Sequence, residues 1–303
     1  MPTHVVVGSG ATGSALARLL ADSGEVVRLV SRRGSGPEHP LVHRVAADAT
    51  DTHRLAELTR GARTLYQCAM PPYDRWPELF PTLGAAVLTA AERSGADYVM
   101  LGNVYGYGPA DGPLTEDRPL APTTAKGRVR AELWQRALDA HTAGRVRVAE
   151  VRAADFLGPG ALSPFSLLTA GPLLAGVPAA HLGDPTTPHS WTYTGDAART
   201  LRAAADSETW GRAWHVPSTS HAPAAELAAQ LARAAGRPLP ELPALDRAAL
   251  AGLGRTDPVV AELVEMLYLY DRPALLDATD TERRLGVSAT PLRQVLAELT
   301  TGC

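Results

Sequence analysis

The sequence of 303 residues lacks isoleucine, has one lysine and one asparagine, and contains no long apolar run. Its net charge of -3 gives no electrostatic case for a nucleic acid or an anionic membrane as partner. No apolar stretch reaches about 18 residues and no basic segment precedes an apolar one at the N-terminus, so we expect neither a transmembrane helix nor a signal peptide. The two cysteines, Cys68 and Cys303, suit a reducing compartment, which favours a cytoplasmic location.

The scarcity of lysine makes Lys126 informative. The chain carries 28 arginines beside this one lysine, as strongly GC-rich coding would produce. Where arginine has replaced lysine elsewhere, a retained lysine indicates a site that needs a compact ammonium group. The alternative is chance survival on a solvated helix face. The nine histidines are scattered along the chain, and we predict no metal site.

A glycine-rich turn at residues 8–13 follows a short apolar run at residues 4–7 and opens into a helical pattern at residues 14–20. Gly8 permits the tight turn, Gly10 leaves room for a diphosphate beside the backbone, and Gly13 lets helix and strand pack closely. The order of strand, turn and helix predicts a dinucleotide site. Its predicted residues are Gly8, Ser9, Gly10, Ala11, Thr12 and Gly13.

Two later strand ends bear on the choice of cofactor. The second predicted strand, residues 25–30, ends at Arg32 and Arg33 with no acidic residue beside them. A ribose 2′-phosphate needs arginine there and a free 2′-hydroxyl needs an acid, so the sequence favours NADP, with NAD possible. The alternative is an exposed basic loop. Asp48, after the third strand, is placed to meet the adenine ring, and Ala69, at the end of the fourth, adjoins the same site.

Strands alternate with helices throughout the first half of the chain, which predicts a doubly wound parallel sheet of the Rossmann type. We expect a dinucleotide-binding domain at residues 1–160, to which residues 195–217 return. A smaller, mostly helical substrate lobe is expected at residues 161–303. The predicted strands are residues 4–7, 25–30, 42–46, 64–69, 97–101, 146–151 and 213–216, and the main helices of the sheet domain are residues 14–20, 76–94, 126–143 and 196–205.

With these segments in order, the chain resembles the extended branch of the short-chain dehydrogenase/reductase superfamily, the NAD(P)-dependent epimerase/dehydratase-like proteins. The match covers nearly the whole length. The residues that carry it are 8–13, Asp48, 104–106, Lys126, Arg152 with 158–160, Tyr193 with 196–198, and Asp277 with 284–286.

The resemblance implies a Tyr-x-x-x-Lys pair and an upstream Ser or Thr. In that chemistry the lysine contacts the ribose and lowers the pKa of the phenol, which exchanges a proton with a carbonyl during hydride transfer. If Lys126 is this lysine, Pro122 stands at the tyrosine position and Leu101 at the hydroxyl position. The chain therefore looks like an atypical member that keeps the nucleotide platform. We expect Tyr105 to supply the missing acid, or Asn103 to hold a substrate oxygen, although Tyr105 could pack under its loop and Asn103 could only hold that loop.

A second group of residues is expected to line a substrate pocket: Tyr73, Tyr107, Phe156, His181 and Tyr193. Tyr193 could instead pack the lobe. Three functions stay open, all with a small-molecule substrate or the nucleotide itself as ligand. They are an NADP-dependent oxidoreductase, an epimerase, dehydratase or non-redox isomerase with bound cofactor, and a nucleotide sensor without catalysis. The resemblance also implies a homodimer, because the helices at residues 76–94 and 126–143 correspond to those that pair into a four-helix bundle in dimers of the superfamily. Leu83, Val87 and Leu88 have an apolar spacing that suits such a face, unless they only face the sheet.

Overall fold

The computed structural model describes residues 3–239 and 241–301, so Cys303 lies outside the described residues. The strands are β1 Thr3–Val7, β2 Val26–Ser31, β3 Val42–Ala46, β4 Thr64–Gln67, β5 Asp97–Asn103, β6 Val148–Ala153, β7 Asp155–Leu157, β8 His181–Leu182, β9 Trp191–Tyr193, β10 Arg212–His215 and β11 Ala244–Leu245. The helices are α1 Ala11–Asp22, α2 Thr52–Thr59, α3 Trp76–Ser94, α4 Ala125–Thr142, α5 Gly171–Ala175, α6 Thr194–Asp206, α7 Ala224–Ala234, α8 Arg247–Leu253, α9 Pro258–Leu263, α10 Thr279–Leu285 and α11 Leu292–Thr301.

One seven-stranded sheet organises the molecule, in the order β10-β6-β5-β4-β1-β2-β3, with every pair parallel. Strand β1 lies between β2 and β4, so the chain reverses direction across the sheet at this point. Its Val5, Val6 and Val7 are almost fully buried, as expected for a parallel strand covered on both faces. This arrangement confirms the predicted doubly wound Rossmann-type fold.

Helices cover both faces of the sheet. Leu16 of α1 and Leu201 of α6 bury one face, while α3 and α4 pack on the other. The helices α3 and α4 approach closely because Gly84 has no side chain; a Cβ there would lie 2.2 Å from a Leu133 methyl group. Val87 is 0% exposed and Leu83 8%, within a single chain. Leu83 and Val87 therefore face the chain's own core, as the alternative interpretation expects, whereas Leu88 is only partly buried. The homodimer stays a prediction.

The carboxyl-terminal half is joined to the sheet by shared packing. Leu263, Met266 and Tyr270 belong to the same buried cluster as residues under the sheet. The carboxyl-terminal half begins with a π-helical turn, Ser166–Ala170, followed by α5. Helix α9 continues into a 3₁₀ helix, Val264–Leu269, which lies over the amino-terminal end of α4. Within the described residues, no helix is both long and apolar enough to cross a membrane.

Candidate functional site

The glycine turn between β1 and α1 is built for close approach of a ligand. Gly8 has φ +105°, and a Cβ there would lie 2.5 Å from the Ala69 nitrogen. A Cβ on Gly13 would lie 1.9 Å from the Gly8 carbonyl oxygen, so this glycine is required by helix–strand packing. A Cβ on Gly10 would meet no described atom within 4 Å. Gly10 is the N-cap residue of α1, and no side chain caps the first N–H groups of the helix. These N–H groups and the open space beside Gly10 suit a diphosphate.

The end of β2 places two arginines beside this turn. Arg32 and Arg33 are exposed, and the loop they begin is fastened to the turn by a 2.8 Å hydrogen bond between the Ser9 and Ser35 hydroxyls. Asp48 accepts hydrogen bonds from the Thr50 backbone and hydroxyl; these bonds, and to a lesser degree the charge of Arg32, lower the pKa of Asp48. The predicted adenosine-side residues therefore lie on one edge of the sheet.

Lys126 lies at the first turn of α4, beyond the carboxyl ends of β4 and β5. Its side chain is 0% exposed, so the solvated-face alternative is wrong. The ammonium donates to Glu262 and, at 3.0 Å, to Glu265, and it lies 4.5 Å from the centre of the Tyr73 ring. The Glu265 carboxylate also accepts from the backbone N–H groups of Ala125 at 2.7 Å and Lys126 at 3.3 Å. Two carboxylates from the carboxyl-terminal half of the chain thus bind the Lys126 ammonium.

Aromatic side chains enclose the lysine. The Tyr73 hydroxyl is buried and has no hydrogen-bond partner within the described part of the chain. Burial, followed by the neighbouring Tyr105 phenol, raises the pKa of Tyr73 well above its usual value. Burial also raises the pKa of Tyr105, and the charge of Asp155 adds to this effect. The Tyr268 hydroxyl donates a hydrogen bond to the Tyr105 carbonyl oxygen at 3.3 Å, so Tyr268 also contacts this group.

A second polar group, which we call the Asp155 cluster, adjoins these tyrosines and consists of Asp155, His181, His189 and Tyr270. The Tyr270 hydroxyl donates to Asp155 at 2.6 Å, and the His189 ring stacks on Tyr270. His189 Nε2 lies 3.3 Å from Asp155 Oδ2, yet neither of its ring nitrogens makes a hydrogen bond to a described residue. Burial, and then His189, lowers the pKa of His181 to about 4.

Other predicted site residues lie apart from this group. Tyr107 is 1% exposed, and its hydroxyl bonds to His215 at 2.5 Å and to Arg152 at 2.7 Å, in a buried network under the sheet edge. This corrects the expectation that Tyr107 lines the pocket, because its side chain is buried and its hydroxyl is already hydrogen-bonded to His215 and Arg152. Tyr193 donates to Glu298 at 2.5 Å, as its lobe-packing alternative expects. Phe156 is half-buried against the α1 side of the sheet.

Asn103 has a structural task. Its side-chain oxygen accepts from the Tyr105 N–H at 3.2 Å and so caps the 3₁₀ helix Val104–Tyr107. This contact holds the loop on which Tyr105 lies, as the second interpretation of Asn103 expects. A catalytic role for Asn103 stays a prediction.

Comparison with known proteins decides the family. Residues 5–216 match the model of the NAD dependent epimerase/dehydratase family. The chain belongs to this family. The match spans every strand of the large sheet except part of β1 and includes the turn, Arg32, Lys126 and the Asp155 position. The protein is therefore a member of a family of NAD-dependent enzymes. A search of curated protein sequences finds no significant match.

Solved structures share the fold over the full length. A double mutant of the dTDP-glucose 4,6-dehydratase DesIV from Streptomyces venezuelae, with NAD and DAU bound, is 21% identical with a TM-score of 0.81, covering 100% of this chain and 96% of that one. MoeE5 in complex with UDP-glucuronic acid and NAD is 22% identical with a TM-score of 0.79, covering 99% and 98%. UDP-glucuronic acid 4-epimerase from Bacillus cereus, in complex with NAD, is 17% identical with a TM-score of 0.79, covering 99% and 96%.

Sequence reasoning missed four residues that the structure brings to Lys126 and its neighbours: Glu262, Glu265, Asp155 and Tyr270. A signal existed for the two glutamates, because a spacing of three residues places them on one face of a helix. Asp155 begins β7, two residues beyond the end of β6, at the carboxyl edge of the sheet where open α/β folds bind ligands. Nothing local in the sequence connects Tyr270 to this group.

Proposed function

We propose that this protein binds NADP at the glycine turn and transfers hydride between the cofactor and a carbonyl, imine or activated alkene of a small molecule. The observation that carries the proposal is the open space at Gly10, in front of uncapped N–H groups at the start of α1. Arg32 and Arg33 favour NADP over NAD because a guanidinium binds a 2′-phosphate by charge-assisted hydrogen bonds. NAD is the alternative cofactor, because the similar solved structures contain NAD.

The proton that accompanies the hydride needs a donor other than the family tyrosine, because Pro122 and Leu101 carry no exchangeable side-chain proton. Tyr73 and Tyr105 are the phenols beside Lys126. Tyr73 is favoured, since the centre of its ring lies 4.5 Å from the ammonium. When bound, NADPH would supply the hydride for a reduction, and the phenol would give its proton to the substrate oxygen or nitrogen. Solvent then reprotonates the phenolate.

A redox-neutral reaction is the second candidate. Similar structures include a dTDP-glucose 4,6-dehydratase with NAD and DAU, a UDP-glucuronic acid 4-epimerase with NAD, and MoeE5 with NAD and UDP-glucuronic acid. In that case the hydride returns to the same substrate, and the coenzyme shows no net change.

Two measurements distinguish these candidates. The purified protein is titrated with NADPH, NADP, NADH and NAD, and then incubated with NADPH and a panel of carbonyl, imine and enone compounds while absorbance at 340 nm is followed. Net NADPH oxidation supports the oxidoreductase. Conversion of a UDP- or dTDP-sugar without any change at 340 nm supports the redox-neutral enzyme. Dinucleotide binding without turnover of any compound favours a nucleotide sensor.

A further inference from the structure

The sheet topology decides which half of a dinucleotide reaches Lys126. A doubly wound sheet binds a dinucleotide across the point where strand order reverses, with one nucleoside on each half. Here the reversal lies at β1, between β2 and β4. Arg32 and Asp48 follow β2 and β3 and belong to the adenosine half. Tyr73 and Lys126 follow β4 and β5, so they belong to the nicotinamide half.

In the structure the Lys126 ammonium already has its partners. Glu262 and Glu265 are both bound to it, and its ring contact with Tyr73 covers a further side. We call residues 258–269, which carry both glutamates, the carboxylate strap. The strap touches the nicotinamide half at three places: the start of α4, the Tyr73–Arg75 turn and the Tyr105 carbonyl. Because the Lys126 side chain has no exposure to solvent, a ribose hydroxyl reaches this ammonium only after one of these neighbours moves away.

The charges of this contact are not balanced. Two carboxylates share one ammonium, and their side chains keep 34% and 23% exposure for Glu262 and Glu265 while that of Lys126 has none. Glu265 has further backbone partners at the start of α4, whereas the recorded polar partner of Glu262 is Lys126. Glu262 is therefore the carboxylate whose release disturbs the fold least. Its removal leaves a neutral Lys126–Glu265 pair.

We infer that Glu262 and Glu265 compete with the nicotinamide ribose for Lys126, so that the carboxylate strap sets the affinity for one half of the dinucleotide. This inference rests on the proposed binding of NADP. The observed association constant equals the intrinsic association constant multiplied by the fraction of molecules in which the strap is released. Ligands that occupy only the adenosine half do not meet the strap, and their affinity is independent of it.

The test uses a ligand for each half. Calorimetry compares NADP with 2′,5′-ADP, which carries the adenosine and its 2′-phosphate without the nicotinamide riboside, on the wild type and on Glu262→Gln. We expect Glu262→Gln to tighten NADP by about 3- to 10-fold through a larger released fraction, with 2′,5′-ADP unchanged. Glu132→Gln is the matched control, since Glu132 is exposed on the same helix as Lys126. It leaves both affinities unchanged.

Hydrogen exchange on the wild type gives a readout that needs no variant. NADP is expected to increase exchange in residues 258–269, and 2′,5′-ADP is not. Equal NADP affinity in wild type and Glu262→Gln, or weaker binding by the variant, overturns the inference while 2′,5′-ADP still binds. Unchanged exchange of the strap at saturating NADP also overturns it. Failure of both ligands to bind the folded wild type instead removes the proposed function, and the inference with it.

Discussion

The Lys126 ammonium lies 3.0 Å from Glu265 Oε1, a contact that connects the first turn of α4 to a segment 139 residues further along the chain. Glu262 completes the contact from the other side. A buried ammonium is stable only with such partners, because its desolvation is costly. The single lysine therefore joins the two halves of the molecule.

Replacing Lys126 with Met is expected to destabilise the fold by about 2 kcal/mol, because Glu262 and Glu265 then face each other without a cation while keeping some contact with water. Urea unfolding monitored by circular dichroism measures the change. Adding Glu262→Gln to the Lys126→Met variant should recover part of the loss, since one of the two repelling charges is gone. Additive losses in the double variant would show that the ion pairs contribute little.

Replacing Arg32 with Ala is expected to weaken NADPH binding by about tenfold and to leave NADH binding unchanged, because only the 2′-phosphate forms a charge-assisted hydrogen bond with this guanidinium. Fluorescence titration of the two reduced cofactors measures both affinities. The matched control is Arg18→Ala, since Arg18 is exposed on α1. Equal losses for NADPH and NADH would contradict the assignment of NADP.

Two buried histidines predict acid sensitivity. Burial lowers the pKa of His181 to about 4 and that of His215 to about 3, from an unfolded value of 6.5. Below pH 6.5 the unfolded chain therefore binds protons that the folded chain does not, and stability is lost as the pH falls. For each such histidine, the free energy of unfolding falls by up to about 1.4 kcal/mol per pH unit as the unfolded imidazole becomes protonated. Urea unfolding between pH 6.5 and 5 measures the slope.

The histidine contribution can be isolated with one variant. His181→Phe keeps the ring contact with Tyr270 and should reduce the slope by one histidine's share. His53→Gln is the control, because the His53 side chain is 82% exposed. Burial raises the pKa values of Glu116 and Asp196, so their protonation in the folded state acts in the opposite direction at lower pH. An unchanged slope in His181→Phe would contradict the buried, neutral imidazole.

The sequence predicted local features well. The boundaries of α3 agree with the predicted residues 76–94, and α2 begins at a typical cap, Asp51, whose carboxylate accepts a hydrogen bond from the Arg54 N–H. These features depend on neighbouring residues, whose periodicity and capping chemistry are visible in the chain. The glycine turn was predictable for the same reason.

The partners of functional side chains were not predictable in this way. Tyr107 lies two residues after Tyr105, yet it turns under the sheet edge to meet His215, 108 residues away. Glu262 finds Lys126 across a separation of 136 residues. Such pairs depend on how the carboxyl-terminal half packs over the sheet, and the burial pattern of a single segment does not specify its distant neighbour.

Gly10→Ala tests the dinucleotide site most directly. Gly10 has φ -70°, which alanine adopts without strain, and its Cβ would meet no described atom, so the thermal midpoint should stay within about 2 °C of wild type. The methyl group would occupy the space left for the diphosphate. Calorimetry is expected to show one NADP site on the wild type and at least about a tenfold loss in Gly10→Ala. Equal affinity in the two folded proteins, or no affinity for any dinucleotide in the wild type, would contradict the account.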